Sequence, residues 1–212
     1  MKQNILLLEN VFTQEETQEI IDKYGNNVPS IGAIGEENLQ IKARTANGLW
    51  IFEEEPIIER FKDIVAGITG LPKVNQEEPH FVRYDVGGEY KLHYDWFQPE
   101  ADYYNETTKK GGQRVFSCLL YLNENFEGGK TTFPKWGVSV EPTVGSIISW
   151  RNMATDGTLE MGSLHAGEPV TKGTKYIVII WVREKPYNIQ LLNKQSRSVP
   201  FSNAIKSKAV RG

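Results

Sequence analysis

In Lys175-Tyr176-Ile177-Val178-Ile179-Ile180-Trp181-Val182-Arg183, seven apolar residues stand between a lysine and an arginine. Strand alternation puts Lys175, Ile177, Ile179, Trp181 and Arg183 on one face and Tyr176, Val178, Ile180 and Val182 on the other. Both faces are apolar in the middle, so both are expected to be buried. A cation at the end of a buried face needs an anionic or polar partner, because an unpaired buried charge costs several kcal/mol or neutralises itself. A small dicarboxylate would serve Lys175; the alternative is a strand-end lysine that snorkels to water.

Shorter runs of the same character precede it: His80 to Val86, Tyr90 to Phe97, Val115 to Leu122, Lys130 to Phe133, Val138 to Glu141 and Ser146 to Trp150, separated by Gly, Pro, Asn and Asp. The first third reads differently. Thr13-Gln14-Glu15-Glu16 is a capping-box pattern followed by Ile20, Ile21 and Tyr24, with Gly25 as a stop, which predicts a helix from about 14 to 24. A second helix is expected to open at Pro56, place Ile57, Ile58, Phe61, Ile64, Val65 and Ile68 on one face, and stop at Gly70. Helices followed by many short strands imply a mainly β fold with flanking α, an antiparallel sandwich or jelly roll with helices on one outer face. One domain is expected, with a helical support region over 1–75, a β core over 76–186 and a basic extension over 187–212.

Composition narrows the setting. The 24 Lys+Arg against 27 Asp+Glu give a net charge of −3, with 39% hydrophobic residues, as in an ordinary soluble domain. One cysteine, Cys118, excludes an intrachain disulfide, a cysteine-based zinc site and an iron–sulfur cluster, and points to a reducing compartment. Cys118 itself lies in an apolar run and reads as an inert small hydrophobe. The apolar run Ile5 to Leu8 is too short for a signal peptide, and nothing approaches the roughly 18 apolar residues of a membrane span. A cytoplasmic protein with no membrane partner is expected. From Lys194 the chain carries Lys194, Arg197, Lys206, Lys208 and Arg211 and no acid. Without an aromatic platform this reads as a solvated tail, not a nucleic-acid arm.

Of three histidines, two are informative. His93 and Asp95 stand two residues apart, which on a strand aims both side chains to one side, and His165 lies where a later strand should begin. Two imidazoles and one carboxylate on one face of an octahedral ion leave three positions open, the ligand set of non-heme Fe(II) oxygenases. An H-x-D triplet alone is a weak signal, and histidines that only hydrogen-bond would explain it equally well.

The neighbourhood decides. Arg83-Tyr84, Gly87-Gly88, Tyr90 and His93-Tyr94-Asp95 resemble the R-Y-x-x-G-x-x-Y-x-x-H-x-D pattern of the prolyl 4-hydroxylase family of 2-oxoglutarate- and Fe(II)-dependent dioxygenases. Gly111-Gly112-Gln113-Arg114, Leu119 to Asn123, and Gly128-Gly129-Lys130-Thr131-Thr132-Phe133-Pro134 resemble its central blocks. Ser163-Leu164-His165-Ala166-Gly167, Pro169-Val170 and Gly173-Thr174-Lys175 resemble its distal block. The resemblance implies a double-stranded β-helix core in which His93, Asp95 and His165 hold Fe(II). It implies that Lys175 pairs with the distal carboxylate of 2-oxoglutarate and Tyr84 hydrogen-bonds the same group. It further implies O2 as second co-substrate, ascorbate as reductant, succinate and CO2 as products, and a peptidyl proline hydroxylated at C4. For the substrate it suggests Tyr90, Arg114, Trp181 and Arg183.

Some features complicate that picture. Tyr90 precedes His93 by an odd number of residues, so an unbroken strand would point the two apart; only a bulge, a turn or a place at the cavity mouth reconciles them. Thr131 and Trp150 read as packing residues. Arg183 stands where the family often has histidine and Tyr176 where tryptophan is common. The inserted segment Asp102 to Lys110 reads as a flap or as a longer surface loop. An oxygenase acting on another side chain or a small molecule, a non-catalytic jelly-roll binding module and a zinc hydrolase are the alternatives. The oligomeric state is not legible.

Overall fold

The capping box forms as the residue types dictate: the Thr13 hydroxyl accepts from Glu16 N–H at 3.2 Å, and the Glu16 carboxylate accepts from Thr13 N–H at 2.9 Å. It opens α1 (Gln14–Tyr24). Pro56 starts α2 (Pro56–Thr69), and Gly70, at φ 69°, takes the left-handed position that ends it. The computed structural model describes residues 5–26, 28–29 and 44–187; the basic segment from Lys194 lies outside them. Twelve strands are present among the described residues. In chain order they are β1 (Ile5–Leu8), β2 (Asn47–Trp50), β3 (His80–Tyr84), β4 (Tyr90–His93), β5 (Arg114–Tyr121) and β6 (Glu127–Gly128). The rest are β7 (Thr131–Phe133), β8 (Val138–Val140), β9 (Ile147–Arg151), β10 (His165–Gly167), β11 (Val170–Lys172) and β12 (Lys175–Arg183). A short helix, α3 (Tyr104–Lys109), occupies the inserted segment.

Strand β12 runs down the middle of a six-stranded sheet of order β1-β9-β5-β12-β3-β2, paired antiparallel with β3 on one side and β5 on the other. A four-stranded sheet, β4-β10-β7-β8, and the pair β11-β6 make up the rest of the sandwich. The alternation of β12 is realised. Val178, Ile180 and Val182 join Ile20 and Tyr24 of α1 and Ile58, Phe61 and Val65 of α2 in one cluster. Ile177, Ile179 and Trp181 join Phe133 and Val140 of the smaller sheet in another. Helices therefore cover one face of the large sheet and the small sheet covers the other. No helix among the described residues is long and apolar enough to cross a membrane.

The segment before α1 is tied to this core through Gly145, whose carbonyl accepts from both Val11 and Phe12 N–H at 3.1 Å. Gly145 has φ 71°, and a Cβ there would fall 1.9 Å from the Phe12 carbonyl oxygen. Gly145→Ala is therefore expected to lower stability by at least about 2 kcal/mol, from left-handed backbone strain with a steric clash added. Urea unfolding of the two proteins checks this; a loss within measurement error would mean that the contact yields freely.

Candidate active site

His93 ends β4 and His165 begins β10, and the two are register partners. Between His165 and Gly167 the register slips: Gly167 faces Tyr90, so two residues of β10 span three of β4. This bulge resolves the odd offset of Tyr90, whose ring stacks on His93 with centroids 3.4 Å apart. Each imidazole is oriented from behind by a main-chain oxygen, His93 Nδ1 by Lys91 O at 2.7 Å and His165 Nδ1 by Ser163 O at 2.8 Å. A carbonyl only accepts, so each Nδ1 carries the proton and each Nε2 presents a lone pair. Those lone pairs face a carboxylate: His93 Nε2 lies 3.5 Å from Asp95 Oδ1 and His165 Nε2 3.6 Å from Asp95 Oδ2.

Three donors converging within 4.8 Å, two of them imidazoles oriented toward a carboxylate, fit a divalent cation held between them. The carboxylate is braced as well. Ser117 donates to Asp95 Oδ2 at 2.6 Å and accepts from Asn152 Nδ2 at 2.8 Å. Burial pushes the Asp95 carboxyl up, but His165, His93 and Arg114 outweigh it and hold the group well below the usual carboxylate range. Burial, with His93 alongside, lowers His165 to about 4, which keeps its ring neutral at physiological pH. Trp150, edge-on at 4.8 Å, and Phe133, stacked at 5.5 Å, wall His165 from water.

The triad opens on a cleft of about 430 Å³, solvent at its mouth included, with Leu119, Ile177 and Ile179 on its lining. Lys175 reaches into the same cleft while only 3% exposed. Its ammonium donates to Gly129 O at 2.5 Å, and no ion pair reaches it among the described residues. Burial pulls its pKa down to about 7, with Glu168 opposing. A dicarboxylate that chelates a cation at one end and meets this ammonium at the other matches the donor set. Tyr84, across the ladder from Lys175, has its ring 5.6 Å from the ammonium. The hydroxyl of Tyr121, beneath, is committed to Thr131 at 2.7 Å.

The structure thus gathers His93, Asp95, His165, Lys175, Tyr84, Tyr90 and Trp181 around one cleft, together with Thr131 and Trp150, which the sequence suggested only as packing. Arg114 and Arg183 are not on its lining. Arg114 lies 3.9 Å over the Trp181 ring and donates twice to Glu77 at 2.7 Å. Arg183, expected in the cleft, is 2% exposed and turned against the same Glu77.

Three participants escaped the sequence reading. Arg44 lines the cleft, its guanidinium 4.8 Å from the Tyr90 ring and bonded to the Tyr84 hydroxyl at 3.4 Å, and no local pattern marks it. Glu77 carries no motif either. Ser117 left one trace, a hydroxyl residue in the apolar run Val115 to Leu122.

A family model for the 2OG-Fe(II) oxygenase superfamily matches residues 79–183. Probable prolyl 4-hydroxylase 9 of Arabidopsis thaliana is 31% identical over 198 residues, covering 83% of this chain and 67% of its own. The chain spans 54 to 68% of the length of the Arabidopsis prolyl 4-hydroxylases it matches. Among solved structures, viral collagen prolyl hydroxylase vCPH from Paramecium bursaria Chlorella virus-1, in its 2OG complex, shares the fold with a TM-score of 0.69 at 23% identity, over 86% of this chain and 97% of that one. A prolyl hydroxylase from Trichoplax adhaerens, in complex with a hypoxia-inducible factor peptide fragment, gives 0.64 at 16% identity, over 94% and 89%.

Because Ser117 both donates to Asp95 and is itself held by Asn152, its hydroxyl bears on metal affinity. Ser117→Ala is expected to weaken divalent-metal binding by about tenfold or more, read by Co(II) titration of the folded protein; unchanged affinity would show that Asp95 needs no bracing.

Proposed function

Since this chain belongs to the prolyl 4-hydroxylase family within the 2OG-Fe(II) oxygenase superfamily, we propose that it hydroxylates a peptidyl proline at C4, converting 2-oxoglutarate and O2 to succinate and CO2. The carrying observation is a triad of two oriented imidazoles and a carboxylate sharing one cleft with a buried, anion-free ammonium. His93, Asp95 and His165 would hold Fe(II), and Lys175 with Tyr84 the distal carboxylate of 2-oxoglutarate. When bound, iron and 2-oxoglutarate supply the oxidising chemistry, one oxygen atom of O2 going to succinate and the other to the substrate carbon. Ascorbate would serve as reductant, and the single buried Cys118 agrees with a cytoplasmic setting. The described residues would act as one catalytic unit.

The remaining work falls to the chain itself. Trp150 and Phe133 exclude water from the His165 side. Burial raises the Tyr90 hydroxyl to about 12, so it stays protonated beside His93 and can orient a substrate without ionising. Trp181, with Arg114 stacked on it, offers an amphipathic wall suited to a proline ring and its flanking amides.

Incubation with Fe(II), ascorbate, O2, 2-oxoglutarate and proline-rich peptides tests the whole reading. Succinate and a peptide gain of one oxygen should appear together and vanish in His165→Ala. Succinate formed with every proline peptide unchanged would move the target to another side chain or a free small molecule.

Lys175 generates a pH signature. Its ammonium is already charged below about pH 7 but must take up a proton on binding a dianion above it. Affinity for 2-oxoglutarate, measured on Mn(II)-loaded protein, should be highest near or below pH 7 and fall by up to about tenfold per pH unit above it. Lys175→Arg, whose charge does not titrate in this range, should flatten the profile. A flat profile in the wild type would mean that Lys175 keeps its proton in the free cleft.

A further inference from the structure

The last carbonyls of a helix lack intrahelical donors, and α3 is too short to dock by apolar burial: none of its residues is buried. Its C-terminal end is nevertheless held from the core. Arg183 Nη2 donates to Thr107 O at 2.7 Å and to Lys110 O at 2.9 Å. The other arm of the guanidinium, Nη1, donates to Glu77 Oε1 at 2.8 Å. Glu77 is also gripped by Arg114, which covers Trp181 on the cleft. Phe97 lies beneath both guanidinia, 4.9 Å from Arg114 and 4.7 Å from Arg183. Gln113, just beyond the inserted segment, grips the Phe97 main chain at both N–H and C=O, at 2.7 and 2.8 Å. A continuous polar chain thus runs from α3 through Arg183, Glu77 and Arg114 to Trp181.

We propose that Arg183 is a positioning residue that latches the inserted segment 102–110 to the Trp181 side of the cleft, and so governs recognition of the peptide and not of 2-oxoglutarate or metal. The inference rests on the peptidyl-hydroxylase reading for its substrate and on geometry alone for the latch. Lys175, Tyr84 and the metal triad make no contact with Arg183, which is why the two co-substrate functions are spared. Removing the guanidinium leaves Glu77 paired with Arg114, so no buried charge is orphaned and the variant is expected to fold. A lysine keeps the charge, yet as a compact point donor it cannot serve two carbonyls and a carboxylate together.

The test compares wild type, Arg183→Lys and Arg183→Met as metal-loaded proteins. Backbone hydrogen exchange across 102–110 should accelerate in Arg183→Met. KM for a proline-rich peptide that the wild type hydroxylates should rise about tenfold, the worth of one charge-assisted hydrogen bond. KM for 2-oxoglutarate and the Co(II) spectrum should not move, and Arg183→Lys should fall between. Faster exchange with an unchanged peptide KM overturns the proposal, as does a parallel rise in the KM for 2-oxoglutarate. Should the wild type hydroxylate no peptide, the prolyl reading falls while the exchange comparison still decides the latch, which unaltered exchange in Arg183→Met would refute.

Discussion

Burying a strand on both faces takes water away from whatever charge it carries, and β12 carries a lysine at one end and an arginine at the other, both nearly inaccessible. The two cations are handled in opposite ways. Arg183 is held inside the protein through both Nη atoms, by Glu77 and two main-chain carbonyls, with its Nε left unpartnered. Lys175 is given one carbonyl and the faces of two tyrosines, Tyr84 and Tyr121, and its charge is left for a ligand. An identical desolvation penalty thus yields a strut at one end of the strand and a receptor at the other.

The division of the β12 side chains organises everything around it. Even-numbered residues bind the strand to two helices, forming a backing that the site never touches. Lys175, Ile177, Ile179 and Trp181 line the cleft. Since β5, next to it, sends Ser117 to Asp95 and Leu119 to the cleft, the large sheet supplies bracing and floor while the paired strands β4 and β10 of the small sheet supply the imidazoles. A site built on a sheet held rigidly from behind suits chemistry that tolerates little error in position.

How much of this was legible follows from the range of the interactions. Helices α1 and α2 were readable because their signals, Thr13 with Glu16 and Pro56 with Gly70, lie within a few residues of what they control. β12 was readable because its period is long and unbroken. β2, with Asn47 and Gly48 at its start, has no strand signal of its own and exists through pairing with β3. The expected strand from Tyr90 to Phe97 stops at His93, because the chain beyond is bound to Gln113 instead of a neighbouring strand. The metal triad was visible through motif spacing, yet Arg44 and Glu77 were not: their partners lie tens of residues away, and a lone arginine or glutamate in sequence carries no record of them. Arg183 was misplaced for the same reason, since Glu77 and the carbonyls of Thr107 and Lys110 that hold its guanidinium lie far away in the chain.

The bulge between β4 and β10 adds a point about how such a cleft can change. Because it spends one extra residue of β4, the stack of Tyr90 on His93 depends on a count, three residues against two, more than on the identity of any side chain between them. Inserting one residue into β10 there would restore a regular ladder, three residues against three, and turn the Tyr90 ring to the opposite face, with His93 and His165 left paired. Length variation in this pair of short strands is thus a route by which the cleft wall at Tyr90 could be rewritten while the imidazole pair stays fixed, a separation that point substitutions in the packed cleft would find harder to achieve.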